Sequence, residues 1–491
     1  MKRFNNIRLL KSGGISVSKS GDISVSKSGS AVQLAIILPA LALLLAFGFS
    51  GCSKLNQVSP DAVLQSALFK DTNSVKETLV GLYGTMEPET YYGAYFPMFA
   101  DLNSDNGVAG GYNNTSLNEF GLYSVTTTNI YIQNIWVALY NGIATANQIL
   151  SGITTMPAAD AGTQQLLSSV KGQALAIRAM IHFDLLRAFG YHWDTTSIYG
   201  IPVVTTVQKA ADIVPRNTVA ATYGAIISDL QTAAGLLSNI TDRNANYINP
   251  AVVNALLARV YLYKKDYANA AAYATQVIND GAYTLMDQNS FPSIYKQKLS
   301  PESIFELAYN QQNQSFFNAT TYARPEAAST EVLFIASNGL QSFFQSRPGD
   351  LRINLLDFAS PNFQPNGRTL KYRGEITKDN PAYILRISEM YLIRAEALGR
   401  ANGLSDLNLV RTKRGLAALA PADVPDDPTY AQFVADENRA EFNFEGHRYF
   451  DLARTGQINA VLGVPATNSV YPIPQVQLTA THGAVVQNPG Y

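Results

Sequence analysis

The chain has 491 residues, and its 36 Lys and Arg against 37 Asp and Glu give a formal net charge of −1. This balance argues against a nucleic-acid partner, which requires a strongly basic face. Four His and one Cys supply too few ligands for a dedicated zinc site, and a single thiol excludes a disulfide within the chain. The 27 Tyr and 22 Phe make the chain rich in aromatic rings.

The chain begins with a segment typical of export signals. Residues 1–30 carry six basic side chains against one acidic side chain, and residues 34–50 carry no charge. A transmembrane anchor is the alternative, but the apolar run is at the short limit for spanning a bilayer and Pro39 interrupts it. We therefore expect residues 1–51 to be a cleaved signal peptide.

Cys52 follows the small residues Ser50 and Gly51 at the end of this apolar run. The arrangement resembles the lipobox of bacterial lipoproteins, in which the thiol receives a diacylglyceryl group and becomes the first residue after cleavage. Each buried CH₂ of an acyl chain contributes about 0.8 kcal/mol to membrane attachment. We expect a lipidated tether over residues 52–60 and one helical domain over 61–491, with its parts 61–300 and 301–491 packed together.

Four segments place apolar side chains at helical spacing, at residues 168–190, 222–237, 249–285 and 383–416. In the third segment Pro250 suits a helix start, Lys265 and Asp266 suit a turn, and Ala alternates with Tyr as in tetratricopeptide repeats. The predicted fold class is all-α, with tetratricopeptide-like helix pairs and long irregular loops. The predicted loops, which usually carry binding residues on such scaffolds, are 88–128, 191–220, 287–350 and 357–382.

Three of these loops combine aromatic rings with polar side chains, as carbohydrate sites do. A sugar ring stacks its C–H face on a flat ring, while its hydroxyls bond to amides, carboxylates and guanidinium groups. The candidate ligand-binding residues are Tyr91, Tyr92, Tyr95, Asp101 and Asn103 in the first loop, Trp193 and Asp194 in the second, and Phe316, Phe317, Tyr322 and Arg324 in the third.

The alternative for each of these rings is packing against the helices, which is the more frequent position of Tyr and Phe. Trp193 is the strongest candidate because it lies in a polar turn, whereas Trp136 lies in a helical segment and is expected in the core. No cofactor or metal is predicted. Bound Ca²⁺ is the weaker alternative, because residues 101–107 alternate oxygen ligands but lack the downstream Glu of an EF-hand.

Five titratable side chains lie within residues 437–451: Glu437, Glu441, Glu445, His447 and Asp451. Two carboxylates that flank a bond can hydrolyse a glycoside, so a secreted glycan-degrading enzyme is one alternative function. The spacing instead allows ion pairs of Glu445 with Arg448, and of Asp451 with His447 and Arg454. We interpret the cluster as structural, and we predict no catalytic residue and no enzymatic activity.

Several blocks of the sequence strongly resemble the SusD/RagB family of outer-membrane lipoproteins from Bacteroidetes-type bacteria. The blocks are residues 134–150, 177–190, 384–398, 407–416, 437–456 and 471–491. The resemblance implies a SusD-like helical fold and a non-catalytic nutrient-uptake lipoprotein on the outer membrane, facing the cell exterior.

The resemblance also implies a ligand and a protein partner. Members of this family capture a glycan or oligosaccharide, or a peptide in the RagB branch, and pass it to a SusC-like TonB-dependent transporter. A tetratricopeptide scaffold that binds a periplasmic protein is a third alternative. The long loops disfavour it, because such scaffolds present an open groove of regular repeats.

Overall fold

The computed structural model describes residues 68–109, 114–209, 211–317, 334–359, 366–372 and 379–491. The expected signal peptide, Cys52 and the tether at residues 52–60 lie outside these residues, as do Tyr322 and Arg324. Their roles, and the predicted division of residues 61–491 into two packed parts, stay predictions.

Helices account for most of the regular structure in the described residues. The α-helices are α1 (Thr72–Gly84), α2 (Tyr95–Leu102), α3 (Thr115–Gly121), α4 (Ile130–Gly152), α5 (Ala161–Phe189), α6 (Val219–Leu237), α7 (Pro250–Tyr263), α8 (Tyr267–Asp280), α9 (Asn338–Gln345), α10 (Ile387–Lys413), α11 (Asp427–Phe442), α12 (Arg448–Arg454), α13 (Ile458–Leu462) and α14 (Gln475–Ala480).

The longer helices pack against their neighbours in the chain. Contacts join α4 to α5, α5 to α6, α6 to α7, α7 to α8, α8 to α10 and α10 to α11. This succession of helix pairs is the architecture of tetratricopeptide-like proteins. The predicted all-α fold class is therefore confirmed. In the part of the chain that the structure describes, no helix combines the length and the hydropathy that a membrane crossing requires.

Short strands connect the irregular segments to each other. They are β1 (Gly107–Ala109), β2 (Ser303–Leu307), β3 (Phe334–Ala336), β4 (Leu356–Asp357), β5 (Arg368–Thr369) and β6 (Ala382–Arg386). They form antiparallel pairs of β1 with β3, β2 with β6 and β4 with β5. The β1–β3 and β2–β6 pairs join segments that are distant in sequence, so these irregular segments are fixed to each other.

The α7–α8 pair shows how the sequence sets its helix ends. The side chain of Asn249 accepts two backbone N–H bonds at the start of α7, and Pro250 occupies the first turn. Asp266 caps α8, and Gly281 follows its last turn in the left-handed conformation with φ of 76°. The turn predicted at Lys265 and Asp266 is confirmed.

Small and aromatic side chains fill the space between these helices as predicted. Ala258, Ala270 and Ala274 are fully buried, and the rings of Tyr261 and Tyr273 stack with centroids 5.6 Å apart. Small side chains let two helices approach closely, and the rings fill the remaining gaps. Trp136 is also buried in the core, as predicted.

The first predicted loop, residues 88–128, is more regular than expected. It contains the helices α2 and α3, whose rings Phe99 and Phe120 stack with centroids 3.9 Å apart in the core. The apolar run of α2 drives this packing, since seven of its eight residues are buried. The prediction of an irregular surface loop is wrong over these two helices.

Candidate ligand-binding surface

Tyr91 and Tyr92 lie in the core, not at the surface. Their hydroxyls donate to the same carboxylate oxygen of Asp184, at 2.6 Å and 2.8 Å. Arg187 pairs with the other oxygen of this carboxylate. Burial and the negative charge of Asp184 raise the pKa of both hydroxyls, so both remain protonated donors. The prediction of an exposed stacking surface is wrong for these two rings.

Asp101 and Asn103 are buried as well. Asp101 accepts hydrogen bonds from the backbone N–H of Gly446 and from Asn106 Nδ2, each at 2.9 Å. Burial raises the pKa of Asp101 to about 6. The prediction that these two side chains contact a ligand is wrong, because both are enclosed in the protein, where Asp101 connects the first loop to residue 446.

Both aspartates of residues 101–107 are engaged by protein groups and not by a cation site. Asp105 forms ion pairs with Arg448 at 2.7 Å and with Arg439 at 3.0 Å, and Asp101 is engaged as described. In the described ranges no group of three or more His, Cys, Asp or Glu is arranged to hold a metal ion. The geometry of this loop therefore gives no support to the calcium alternative.

The third loop separates its two phenylalanines. Phe317 is only 1% exposed and stacks on Tyr372 with centroids 4.5 Å apart, so the prediction of ligand contact is wrong for this ring. Phe316 is 44% exposed, and its backbone N–H bonds to the carbonyl of Gly93. Tyr95 is half-buried against Phe99. Phe316 and Tyr95 stay predictions as ligand contacts.

The second loop, residues 190–200, carries a row of three half-buried rings. Trp193 stacks on Tyr191 with centroids 4.9 Å apart, and Tyr191 lies 5.3 Å from Tyr199. Asp194 accepts bonds from the backbone N–H and the hydroxyl of Thr196, at 2.9 Å and 2.6 Å. These bonds lower the pKa of Asp194 and close the turn that holds Trp193. We call residues 190–200 the aromatic loop.

Arg216 anchors the backbone of the aromatic loop. Its guanidinium lies 5.3 Å from the centre of the Tyr199 ring. The guanidinium donates, at 2.6–3.2 Å, to the carbonyl oxygens of Phe189, Tyr199, Gly200 and Val486 and to Oδ1 of Asn488. Burial lowers the pKa of Arg216 to about 10, so it stays a cation at neutral pH. No pattern in the sequence indicated this role of Arg216, since its partners lie up to 272 positions away.

His192, a buried residue of the aromatic loop, connects this loop to the core. The ring of His192 meets Trp193 edge-on at 5.0 Å, and its carbonyl accepts a bond from the Tyr223 hydroxyl at 2.8 Å. Burial lowers the pKa of His192 to about 3, so the ring is neutral at physiological pH. The loop is therefore fixed from both sides, which lowers the entropic cost of binding a ligand on its rings.

A groove with a volume of about 800 Å³ lies between helices of the body. The turn between α7 and α8, the middle of α10, and α11 and α12 form its walls. The ring of Tyr263, one of its lining residues, lies 5.5 Å from the ring of His192, and both rings are buried, so this contact is in the core. Sequence reasoning missed this groove, because the turn between α7 and α8 lies more than a hundred residues before the other walls.

The carboxylates on and after α11 belong to a buried ionic cluster. Glu441 pairs with Arg352 at 3.1 Å, Arg386 at 2.9 Å and Arg414 at 2.8 Å. Glu445 pairs with Arg386 at 2.8 Å. These cations hold the pKa of Glu441 well below its usual value although burial acts in the opposite direction. A carboxylate that stays ionised and buried cannot serve as a general acid, which supports the structural interpretation.

The local pairs expected around this cluster are partly present. Arg454 pairs with Asp451 at 2.8 Å, as predicted. The expected pair of Glu445 with Arg448 is wrong, because Arg448 turns to Asp105. His447 stacks at 4.5 Å on the ring of Phe442, and burial and nearby arginines hold its pKa well below the usual value, so it cannot pair with Asp451 as a cation.

Two family models match the chain. The model described as "Starch-binding associating with outer membrane" matches residues 56–262, and the model of the SusD family matches residues 365–468. Together they cover more than half of the chain. The first match contains the resembling blocks at residues 134–150 and 177–190, and the second contains those at 384–398, 407–416 and 437–456.

Similar proteins agree with these matches over nearly the whole chain. SusD-like protein P2 of Formosa agariphila is 23% identical, covering 90% of this chain and 97% of the relative. A SusD superfamily structure from Bacteroides vulgatus is 27% identical with a TM-score of 0.72, covering 86% and 99%. A laminarin-binding SusD-like structure is 24% identical with a TM-score of 0.72, covering 85% and 99%. The chain belongs to the SusD/RagB family.

Proposed function

We propose that the protein is a cell-surface lipoprotein that binds a glycan or oligosaccharide, leaves it intact and delivers it to a SusC-like TonB-dependent transporter. The description of the matching family model as starch-binding supports a carbohydrate ligand and an outer-membrane location. The description of one structural neighbour as laminarin-binding points to the same ligand class.

The row of accessible rings in the aromatic loop carries this proposal. Trp193 stacks on Tyr191, the ring of Tyr199 lies tilted beside Tyr191, and all three rings are half-buried, so the loop keeps apolar ring surface in contact with water. Sugar C–H groups match such a surface, and the turn carboxylate of Asp194 can accept bonds from hydroxyl groups. Rings fixed by Arg216 and His192 lose little conformational freedom when a ligand binds.

The buried ionic cluster supports a role without catalysis. Glycoside hydrolysis requires two carboxyl groups on opposite sides of the scissile bond in an open cleft, one of them protonated. Glu441 and Glu445 instead are buried and each faces several cations. Asp101, whose pKa lies near 6, is fully enclosed and accepts hydrogen bonds from Asn106 and Gly446.

The first experiment measures binding and cleavage on the same samples. The purified chain is titrated with soluble starch, laminarin and a tryptic peptide mixture, and new reducing ends are assayed after incubation. We expect saturable binding to at least one polysaccharide without new reducing ends. New reducing ends would overturn the non-catalytic role, and binding to peptides alone would favour a RagB-like peptide-uptake protein.

The second experiment tests the anchor and the transporter. Native cells that carry the wild-type protein or a Cys52→Ala variant are labelled with radioactive palmitate, and the protein is then isolated from outer membranes. We expect label in the wild-type protein alone, together with a copurifying TonB-dependent barrel. Equal labelling of both proteins would exclude Cys52 as the lipidated residue, and isolation without a barrel would argue against delivery.

A further inference from the structure

We propose that the closing segment of the chain, residues 486–491, positions the aromatic loop for ligand binding, and that Asn488 is the positioning residue through which it acts on Arg216. The closing segment ends the resembling block at residues 471–491. Asn488 lies 272 positions after Arg216 in the chain. We draw this inference on the basis of the proposed function, because it concerns the ligand that binds at the aromatic loop.

The closing segment supplies two of the five oxygens that hold the Arg216 guanidinium. Nη1 donates to the carbonyl of Val486 at 2.7 Å, and Nη2 donates to Oδ1 of Asn488 at 2.6 Å. No carboxylate among the described residues pairs with Arg216, so neutral acceptors from the protein hold this cation in place. Hydrogen bonds to a charged donor are stronger than neutral ones, so loss of one acceptor has a large effect on its position.

The other three oxygens lie at the two ends of the aromatic loop. The carbonyl of Phe189, directly before the loop, accepts at 2.9 Å, and those of Tyr199 and Gly200 accept at 3.2 Å and 2.7 Å. A guanidinium is planar and points its donors in fixed directions. The position of the closing segment is therefore transmitted through one rigid group to both ends of the loop.

Asn488 has a fixed orientation of its own. Its side chain is buried, and Nδ2 donates to the carbonyls of Phe189 at 3.0 Å and Tyr471 at 2.9 Å. These two acceptors require the amide N–H groups on their side, so Oδ1 must face Arg216. A binding loop that is held before the ligand arrives loses less conformational entropy on binding.

The alternative is that the closing segment only completes the fold. Tyr491 offers a matched control for this, because its hydroxyl donates to the carbonyl of Val470 at 2.7 Å and is not among the partners of Arg216. Tyr491→Phe loosens the chain end and keeps the ring. Asn488→Ala removes the acceptor of Arg216, whereas Asn488→Asp keeps an acceptor for Arg216 and loses the bonds to Phe189 and Tyr471.

The test is a double-mutant cycle on affinity. Wild type, Asn488→Ala, Arg216→Ala and the double variant are titrated with laminarin and with soluble starch, together with Asn488→Asp and Tyr491→Phe. Circular dichroism confirms that each variant folds, and hydrogen exchange is followed over residues 190–200. Two residues that act as one unit give non-additive effects, whereas independent contributions to stability leave the cycle additive.

We expect Asn488→Ala to lower affinity about threefold in the wild-type background, with no further loss in the Arg216→Ala background. Exchange over residues 190–200 should become faster in Asn488→Ala. Asn488→Asp and Tyr491→Phe should each keep affinity within about twofold of wild type, although their melting temperatures fall.

Three results would overturn the positioning role: wild-type affinity and exchange in Asn488→Ala, the same loss in both backgrounds of the cycle, or equal losses for Asn488→Ala and Asn488→Asp. Each of them leaves the proposed function standing. A wild-type protein that binds neither polysaccharide would overturn the proposed function instead, and hydrogen exchange in Asn488→Ala would then decide whether the closing segment holds the aromatic loop.

Discussion

Two loops that both combine aromatic rings with aspartate differ in how they expose their rings. Residues 89–107 bury Tyr91 and Tyr92, whereas residues 190–200 keep Tyr191, Trp193 and Tyr199 half-exposed. In the first loop the polar partner, Asp184, comes from the core helix α5. In the second loop the carboxylate is satisfied locally, because Asp194 accepts its bonds from Thr196.

This difference identifies which property separates a binding loop from a packing loop. A buried acceptor favours burial of rings that carry a hydroxyl group. An acceptor left without hydrogen-bond partners would lower the free energy of unfolding by about 1–3 kcal/mol or more. A loop whose carboxylate is hydrogen-bonded by its own residues can keep its rings partly exposed. The predictions below test this contrast between the two loops.

The largest effect is expected from Asp184→Ala, which removes the acceptor of the first loop. It leaves Arg187 buried without its carboxylate and removes the partner of two hydroxyls. We expect a loss of about 3–5 kcal/mol in the free energy of unfolding, measured by urea denaturation.

Asp194→Ala is the matched control in the second loop. It removes a turn carboxylate at the surface, so about 1 kcal/mol is expected. Equal losses for Asp184→Ala and Asp194→Ala would contradict the contrast between the loops.

Trp193→Ala should lower affinity for the bound polysaccharide about tenfold or more, because it removes the largest ring of the aromatic loop. Calorimetric titration measures the affinity, and Tyr247→Ala serves as the control for loss of an exposed ring. An unchanged affinity would remove the aromatic loop as the binding surface.

Arg216→Ala should lower affinity about threefold to tenfold without touching the ligand, because it releases the backbone of the aromatic loop. Hydrogen exchange over residues 190–200 should become faster in the same variant. Arg216→Lys should restore part of the affinity, since an ammonium group keeps the charge but not the planar array of donors. Faster exchange with full affinity would mean that the loop needs no anchor to bind.

Tyr92→Phe should have the smallest effect on binding. It removes one hydrogen bond to Asp184 and costs about 1 kcal/mol of stability, while affinity should change less than about twofold. Thermal unfolding and the same calorimetric titration measure the two quantities. A loss of affinity comparable to that of Trp193→Ala would show that the first loop contributes to ligand binding.

The helical fold could be predicted from the sequence because its signals are local. Apolar spacing located α5, α6, α7 and α10, and the turn at Lys265 and Asp266 lies where predicted. The pair of Asp451 with Arg454 was also predictable, since the two residues lie three positions apart on one helix.

The site was less predictable because its determinants are distant in sequence. Tyr91 lies 93 positions from Asp184, so composition alone could not show that its ring turns inward. Glu445 pairs with Lys371 and Arg386, 74 and 59 positions away, rather than with its helical neighbour. The polar turn that carries Trp193 was predictable because it is closed by Asp194 and Thr196, only one and three positions away, and the role of Trp193 as a ligand contact stays a prediction.

A crystal structure of the protein with an oligosaccharide of the polysaccharide that it binds tests the central claim most directly. We predict a sugar ring stacked on the rings of the aromatic loop at Trp193. A ligand bound at Phe316 and Tyr95, with the rings of the aromatic loop uncovered, would contradict this account.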